Sequence, residues 1–101
     1  MLHYEHRPAK PGKSTVILIH GVNGNRTGME EIGKLISRSG RGTLLVDLPG
    51  HGKSLADETT YEFTACIQEL TKIVMAEGLE NPHVIGHSLG GILALGYASS
   101  T

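Results

Sequence analysis

Apolar residues along this chain fall into two alternating kinds of run. Three runs are short, continuous and largely β-branched or leucine: Thr15-Val16-Ile17-Leu18-Ile19-His20, Thr43-Leu44-Leu45-Val46-Asp47 and His83-Val84-Ile85-Gly86. Runs of this kind predict strands buried on both faces of a parallel sheet. Between them the apolar positions recur at helical spacing, with Met29, Ile32, Leu35 and Ile36 before Gly40, and Phe63, Ile67, Leu70, Ile73 and Val74 before Gly78. Each pattern follows a capping-box spacing, Thr27-x-x-Glu30 and Thr59-x-x-Glu62, and each ends at a glycine stop. After the third strand, Leu89, Ile92, Leu93 and Leu95 among small residues predict a buried helix. Upstream, Leu2 to His6 alternates loosely as an edge strand does, and Pro8, Pro11 and Gly12 force a loop. Strand and helix in strict alternation predict an α/β fold, a parallel sheet with helices on both faces in three layers, joined by right-handed crossovers.

The third strand passes into the last helix within a few residues, through Gly86-His87-Ser88-Leu89-Gly90. So abrupt a change strains the residue at the apex, and bulky neighbours two positions away would clash there. Gly86 and Gly90 remove those clashes. The expectation is a nucleophile elbow, which lifts the Ser88 hydroxyl clear of the sheet towards the N-terminus of the following helix.

Composition narrows the class without identifying it. The chain has 101 residues, 39% hydrophobic and 19% charged, which suits one globular domain with a modest core. A net charge of −1, with Lys and Arg scattered, gives no footprint for nucleic acid or an anionic membrane surface. No segment approaches membrane-spanning length, and residues 1–7 lack the apolar stretch of a signal peptide. Cys66 is the single cysteine and sits in a helical pattern as a small core residue, so a cytoplasmic location is the expectation.

Three motifs in order, Leu18-Ile19-His20-Gly21, Asp47-Leu48-Pro49-Gly50-His51-Gly52-Lys53-Ser54 and Gly86-His87-Ser88-Leu89-Gly90-Gly91, together resemble the first part of an α/β-hydrolase-fold protein. The resemblance runs from about Tyr4 to the end of the chain. It implies a serine hydrolase acting on carboxylic esters or related small acyl compounds, without metal or organic cofactor. Ser88 would attack the carbonyl to form an acyl-enzyme. The oxyanion would be held by the backbone N–H groups of Val22 and Leu89, the latter at the positive end of a helix.

The chain has six histidines, but the family pattern offers none of them as the general base. His87 adjoins Ser88 and would project away from its hydroxyl. By the resemblance, His20 and His51 order the two turns through hydrogen bonds to nearby backbone, and Asp47 precedes a structural turn. His3, His6 and His83 read as surface residues. In this fold the acid and then the base follow the nucleophile, yet Leu89 to Thr101 contains no Asp, Glu or His. Two members of the triad are thus absent from these residues. The elbow strand would also lack a neighbour on one side, leaving Val84 and Ile85 on an apolar edge open to self-association. Both points lead us to expect the N-terminal part, residues 1–101, of a truncated single domain.

Two other readings compete. A non-catalytic binding protein of the same fold, or a subunit completed by a partner chain, would also lack the acid and base. A nucleotide-binding loop is the remote alternative, since Gly28-Met29-Glu30-Glu31-Ile32-Gly33-Lys34 has P-loop spacing. Leu35 stands where such a loop needs a hydroxyl, and the segment has helical periodicity. A second match at Gly50-His51-Gly52-Lys53-Ser54 has Asp47 in place of the first glycine. Met29 and Met75 read as core fillers. Lys53 and Arg26 read as solvated, with Arg26 in the loop that could touch a substrate.

Overall fold

A computed structural model of the protein describes residues 2–20, 29–48, 63–87 and 89–100. Its elements in chain order are β1 (Tyr4–Arg7), β2 (Thr15–Ile19), α1 (Glu30–Ser37), β3 (Gly42–Val46), α2 (Phe63–Ala76), β4 (His83–Gly86) and α3 (Leu89–Ser100). The sheet order is β1-β3-β2-β4, with β2, β3 and β4 parallel and β1 antiparallel at one edge, so the sheet is mixed. β2 and β3 are buried throughout, as strands covered on both faces must be, which is why their sequences are continuous apolar runs.

The order also accounts for the layering. Passing from β2 to β3 moves the chain one way across the sheet, and passing from β3 to β4 carries it back over β2. Right-handed crossovers in opposite directions place their helices on opposite faces. The cores follow suit: Val16, Leu18 and Leu45 pack with Met29 and Ile36 at α1. On the other face Ile17, Ile19, Leu44 and Val46 pack with Cys66, Leu70, Ile73 and Val74 of α2 and Leu93, Ala94 and Tyr97 of α3.

The glycine stops are present. Gly78 has φ +64°, with its N–H donating to Met75 O and the Leu79 N–H to Val74 O, so α2 closes in a Schellman motif. Gly40, at φ +87°, ends the turn after α1. The start of α1 differs from expectation: the helix opens at Glu30, and Met29 at the N-cap position makes no side-chain cap. Thr27, Thr59 and Glu62 lie outside the described residues.

Helix faces are where periodicity misleads. The inward line of α1 is Met29, Gly33 and Ile36, whereas Ile32 and Leu35, apolar positions of the same helical spacing, are exposed, Leu35 by 63%. The helix meets the sheet at Gly33, where a Cβ would lie in ordinary contact, 3.5 Å, with both Leu18 Cδ1 and Leu45 Cδ1, and the larger Ile32 and Leu35 lie to the outer side of that line. On α3 the inward residues are Leu93, Ala94 and Tyr97, and Ile92 and Leu95 face outwards. Met75 is 76% exposed rather than a core filler, because it follows Ile73 and Val74 around the helix. β4 alternates exposed and half-buried positions instead of being buried throughout, and among the described residues no strand pairs with its outer side.

His6 is also not a bare surface residue. Its Nδ1 lies 2.6 Å from Glu77 Oε1, and Tyr4 Oη donates to Glu77 Oε2 at 2.7 Å. Tyr4 and His6 are two apart on β1 and share a face, so the carboxylate just beyond α2 ties the edge strand to the helix layer. The hydrogen bond from Tyr4, with that to His6, holds the Glu77 carboxyl below its ordinary range, and the same contact pushes the Tyr4 phenol up. His83 is exposed as expected, and His3 is half-buried.

Candidate active site

Because β2, β3 and β4 are parallel and in register, with Ile19 beside both Val46 and Gly86, their C-terminal ends lie level at one edge of the sheet. This is the edge at which open α/β sheets bind ligands. The three sequence motifs begin there, carried by His20, Asp47 with Leu48, and Gly86 with His87.

The turn after β4 is built from backbone. The His87 N–H donates to Ile19 O at 3.0 Å, extending the ladder with β2 past the end of the strand. The Gly90 N–H then donates to His87 O at 3.0 Å and reverses the chain into α3. The packing of this reversal explains its glycines. A Cβ on Gly86 would overlap the Gly90 carbonyl oxygen, and one on Gly90 would overlap the Ile19 carbonyl oxygen. Strand, turn and helix are pressed together at two points that no side chain can occupy.

The neighbouring strand ends are joined by His20, only 2% exposed, whose Nε2 accepts the Leu48 N–H at 2.9 Å. That bond requires a lone pair on Nε2, so the ring is neutral with its proton on Nδ1. A nitrogen so engaged is not available to deprotonate a serine. Asp47 is fully buried, and its N–H donates to His3 O at 2.9 Å, which anchors the end of β3 to the chain entering β1. His87 is exposed. Leu89 opens α3, where backbone N–H groups lack acceptors within the helix.

Ser88, Gly21 and Val22 lie outside the described residues, as do Arg26, His51 and Lys53. The structure therefore brings together Gly86, His87, Leu89 and Gly90 with His20, Asp47 and Leu48. The contribution of Leu48 was not foreseen from the sequence, since a backbone donor leaves no mark in residue type. Among the described residues no group of three His, Cys, Asp or Glu side chains gathers as a metal site, and no helix is long and apolar enough to cross a membrane.

A mixed sheet between helix layers, its three parallel strands ending at one edge in a glycine-tight strand-to-helix turn, defines the class of the α/β hydrolases. The α/β hydrolase fold family profile matches residues 14–101, and the chain belongs to that family. It is 32% identical over 95 residues to the 2-succinyl-6-hydroxy-2,4-cyclohexadiene-1-carboxylate synthase of Salmonella paratyphi C, covering 94% of this chain and 36% of that protein. Among solved structures it is similar to an esterase from Exiguobacterium antarcticum (TM-score 0.86, 26% identity, 97% of this chain and 35% of that one). It is likewise similar to a monoacylglycerol lipase from Paleococcus ferrophilus (TM-score 0.84, 28% identity, 99% and 38%). The chain thus spans 36% of the length of the curated relative.

Proposed function

We propose that this chain carries the nucleophile and oxyanion donors of a serine hydrolase acting on carboxylic esters or related small acyl compounds. Ser88 is the nucleophile, and the Leu89 and Val22 N–H groups receive the oxyanion. The reading rests above all on the exclusion of a side chain at both glycines, at Gly86 by the Gly90 carbonyl and at Gly90 by the Ile19 carbonyl, the close approach that a nucleophile elbow requires. Similarity to an esterase and a lipase supports the substrate class. A donor at Leu89 would be worth on the order of 3 kcal/mol of barrier. Acid and base are to be supplied from outside Leu89 to Thr101, so the chain alone gives Ser88 weak activation. No nucleic acid, membrane or cofactor enters this reading, and its setting is cytoplasmic.

Labelling by a fluorophosphonate probe tests the proposal. Labelling that is lost in Ser88→Ala, and strengthened when the chain is extended, supports an activated nucleophile. Absence of labelling in the extended protein would favour the non-catalytic binding reading. A second chemistry on the same elbow is favoured by one observation, the synthase name of the 32% identical relative. Turnover without net hydrolysis of an acyl substrate, still dependent on Ser88, would select it.

A further inference from the structure

The fold gathers cations that the sequence keeps apart. Six of the nine Lys and Arg residues fall in two short segments, Arg7, Lys10 and Lys13 in one and Lys34, Arg38 and Arg41 in the other, and neither segment contains any of the ten Asp and Glu residues. All six residues are exposed. The segments meet where the parallel strands begin: Arg7 pairs with Thr43 in β3, the Lys10 N–H donates to Gly40 O at 2.8 Å, and the Gly42 N–H donates to Ser14 O at 3.0 Å. This end of the sheet is opposite the one that carries His20, Asp47 and Gly86. It spans β1, β3 and β2, away from the outer side of β4, where a further strand of the domain is expected. Two of the cations are steadied by their neighbours. The stem of Lys10 lies over Gly40, where an added Cβ would come within 3.3 Å of Lys10 Cδ, and Arg41 Nη1 donates to Ser14 Oγ at 2.7 Å. Compensation is slight. Lys34 reaches Glu31 at 3.7 Å in an exposed pair of little worth, and among the described residues none of the other five cations is in an ion pair. Like charges held together repel, and an anion bound among them relieves the repulsion.

The kind of anion follows from the boundary of the patch. Outside these two segments the chain has three cations against ten acids, and Glu77 and Glu80 stand at the same end of the sheet, where α2 gives way to β4. A nucleic-acid duplex or an anionic bilayer laid across that end would set its phosphates against those carboxylates. Stacked bases would find no support either, since neither segment contains Phe, Tyr, Trp or His. The six cations are spread over a loop, strand ends and a helix end rather than converging on a buried point, so a row of carboxylates suits them better than one compact anion. We propose that this surface binds a short acidic segment of a partner protein, rich in Asp and Glu. The proposal does not rest on Ser88 and stands apart from the hydrolase reading.

Fluorescence anisotropy of a labelled oligoglutamate peptide, titrated with the protein extended past Thr101, tests this. Saturable binding is expected, weakening steadily as ionic strength rises. Arg38→Glu and Lys10→Glu, both at exposed positions, should each weaken it about tenfold, and Lys72→Glu on α2 should change it by less than about twofold. Lys13→Glu, in the exposed loop, takes the place of either variant if its circular dichroism spectrum is altered. Three results would overturn the proposal. They are no binding at low ionic strength, binding indifferent to Arg38→Glu and Lys10→Glu, and tighter binding of duplex DNA, phosphatidylserine vesicles or tripolyphosphate than of the peptide.

Discussion

At the scale of single residues, the turn after β4 depends on atoms that are absent. Gly86→Ala or Gly90→Ala forces a methyl group into a backbone carbonyl that is itself held by the sheet or helix. Each should cost more than about 2 kcal/mol in urea denaturation and abolish probe labelling. Gly12→Ala separates crowding from conformation. Gly12 has φ +80° with nothing within 4 Å of the added atom, so the cost should be the left-handed backbone alone, about 1–2 kcal/mol, with labelling unchanged. His20→Ala removes the acceptor of the buried Leu48 N–H and should cost about 1–3 kcal/mol for the orphaned donor. Cys66 is inert for a different reason: burial pushes its thiol up, away from the thiolate that reacts.

At the scale of elements, how the chain places side chains determines what a sequence can disclose. β2 and β3 were legible because a strand covered on both faces favours apolar residues, and Val16 to Ile19 and Leu44 to Val46 comply, with Thr15 and Thr43 the buried polar exceptions. The strand-to-helix turn was legible because its glycines are spaced by the clash they avoid. The buried face of α1 was not, since contact runs along Gly33, a residue that contributes nothing to an apolar pattern. Nor was the Tyr4–Glu77–His6 cluster, whose partners lie more than 70 residues apart in the chain. That cluster gives β1 a pH dependence. Glu77 is held below its ordinary range, so the stabilisation is complete above the unfolded glutamate pKa of about 4.3 and is lost as pH falls through the lower folded value. Amide exchange in Tyr4 to Arg7 should quicken over that interval before exchange in β2 does. In Glu77→Gln the step should vanish.

At the scale of the whole molecule, stability rests on the face shared by α2 and α3. Ile73 and Leu70 are almost completely buried there, and Ile73→Ala should cost about 2–5 kcal/mol. Domain stabilities are on the order of 5–15 kcal/mol, so a loss of this size should lower the thermal unfolding temperature by several degrees or more. Met75→Ala, one helical step away and solvent-facing, should change stability by less than about 0.5 kcal/mol.

The pairing of β4 with β2 also sets an order of events in time. Val16 is partnered by His83, about 67 residues later in the chain. A parallel pair so far apart in sequence must close a long loop before its hydrogen bonds repay the lost chain entropy, and non-local pairings of this kind slow folding. The β2–β3 pair closes a much shorter interval, Thr15 to Gly42. During synthesis, then, the sheet can nucleate around β2 and β3 while β4 is still unmade. The Gly86–Gly90 reversal, which draws on the carbonyl of Ile19, then forms after the pairing of β2 with β3 on which it is built.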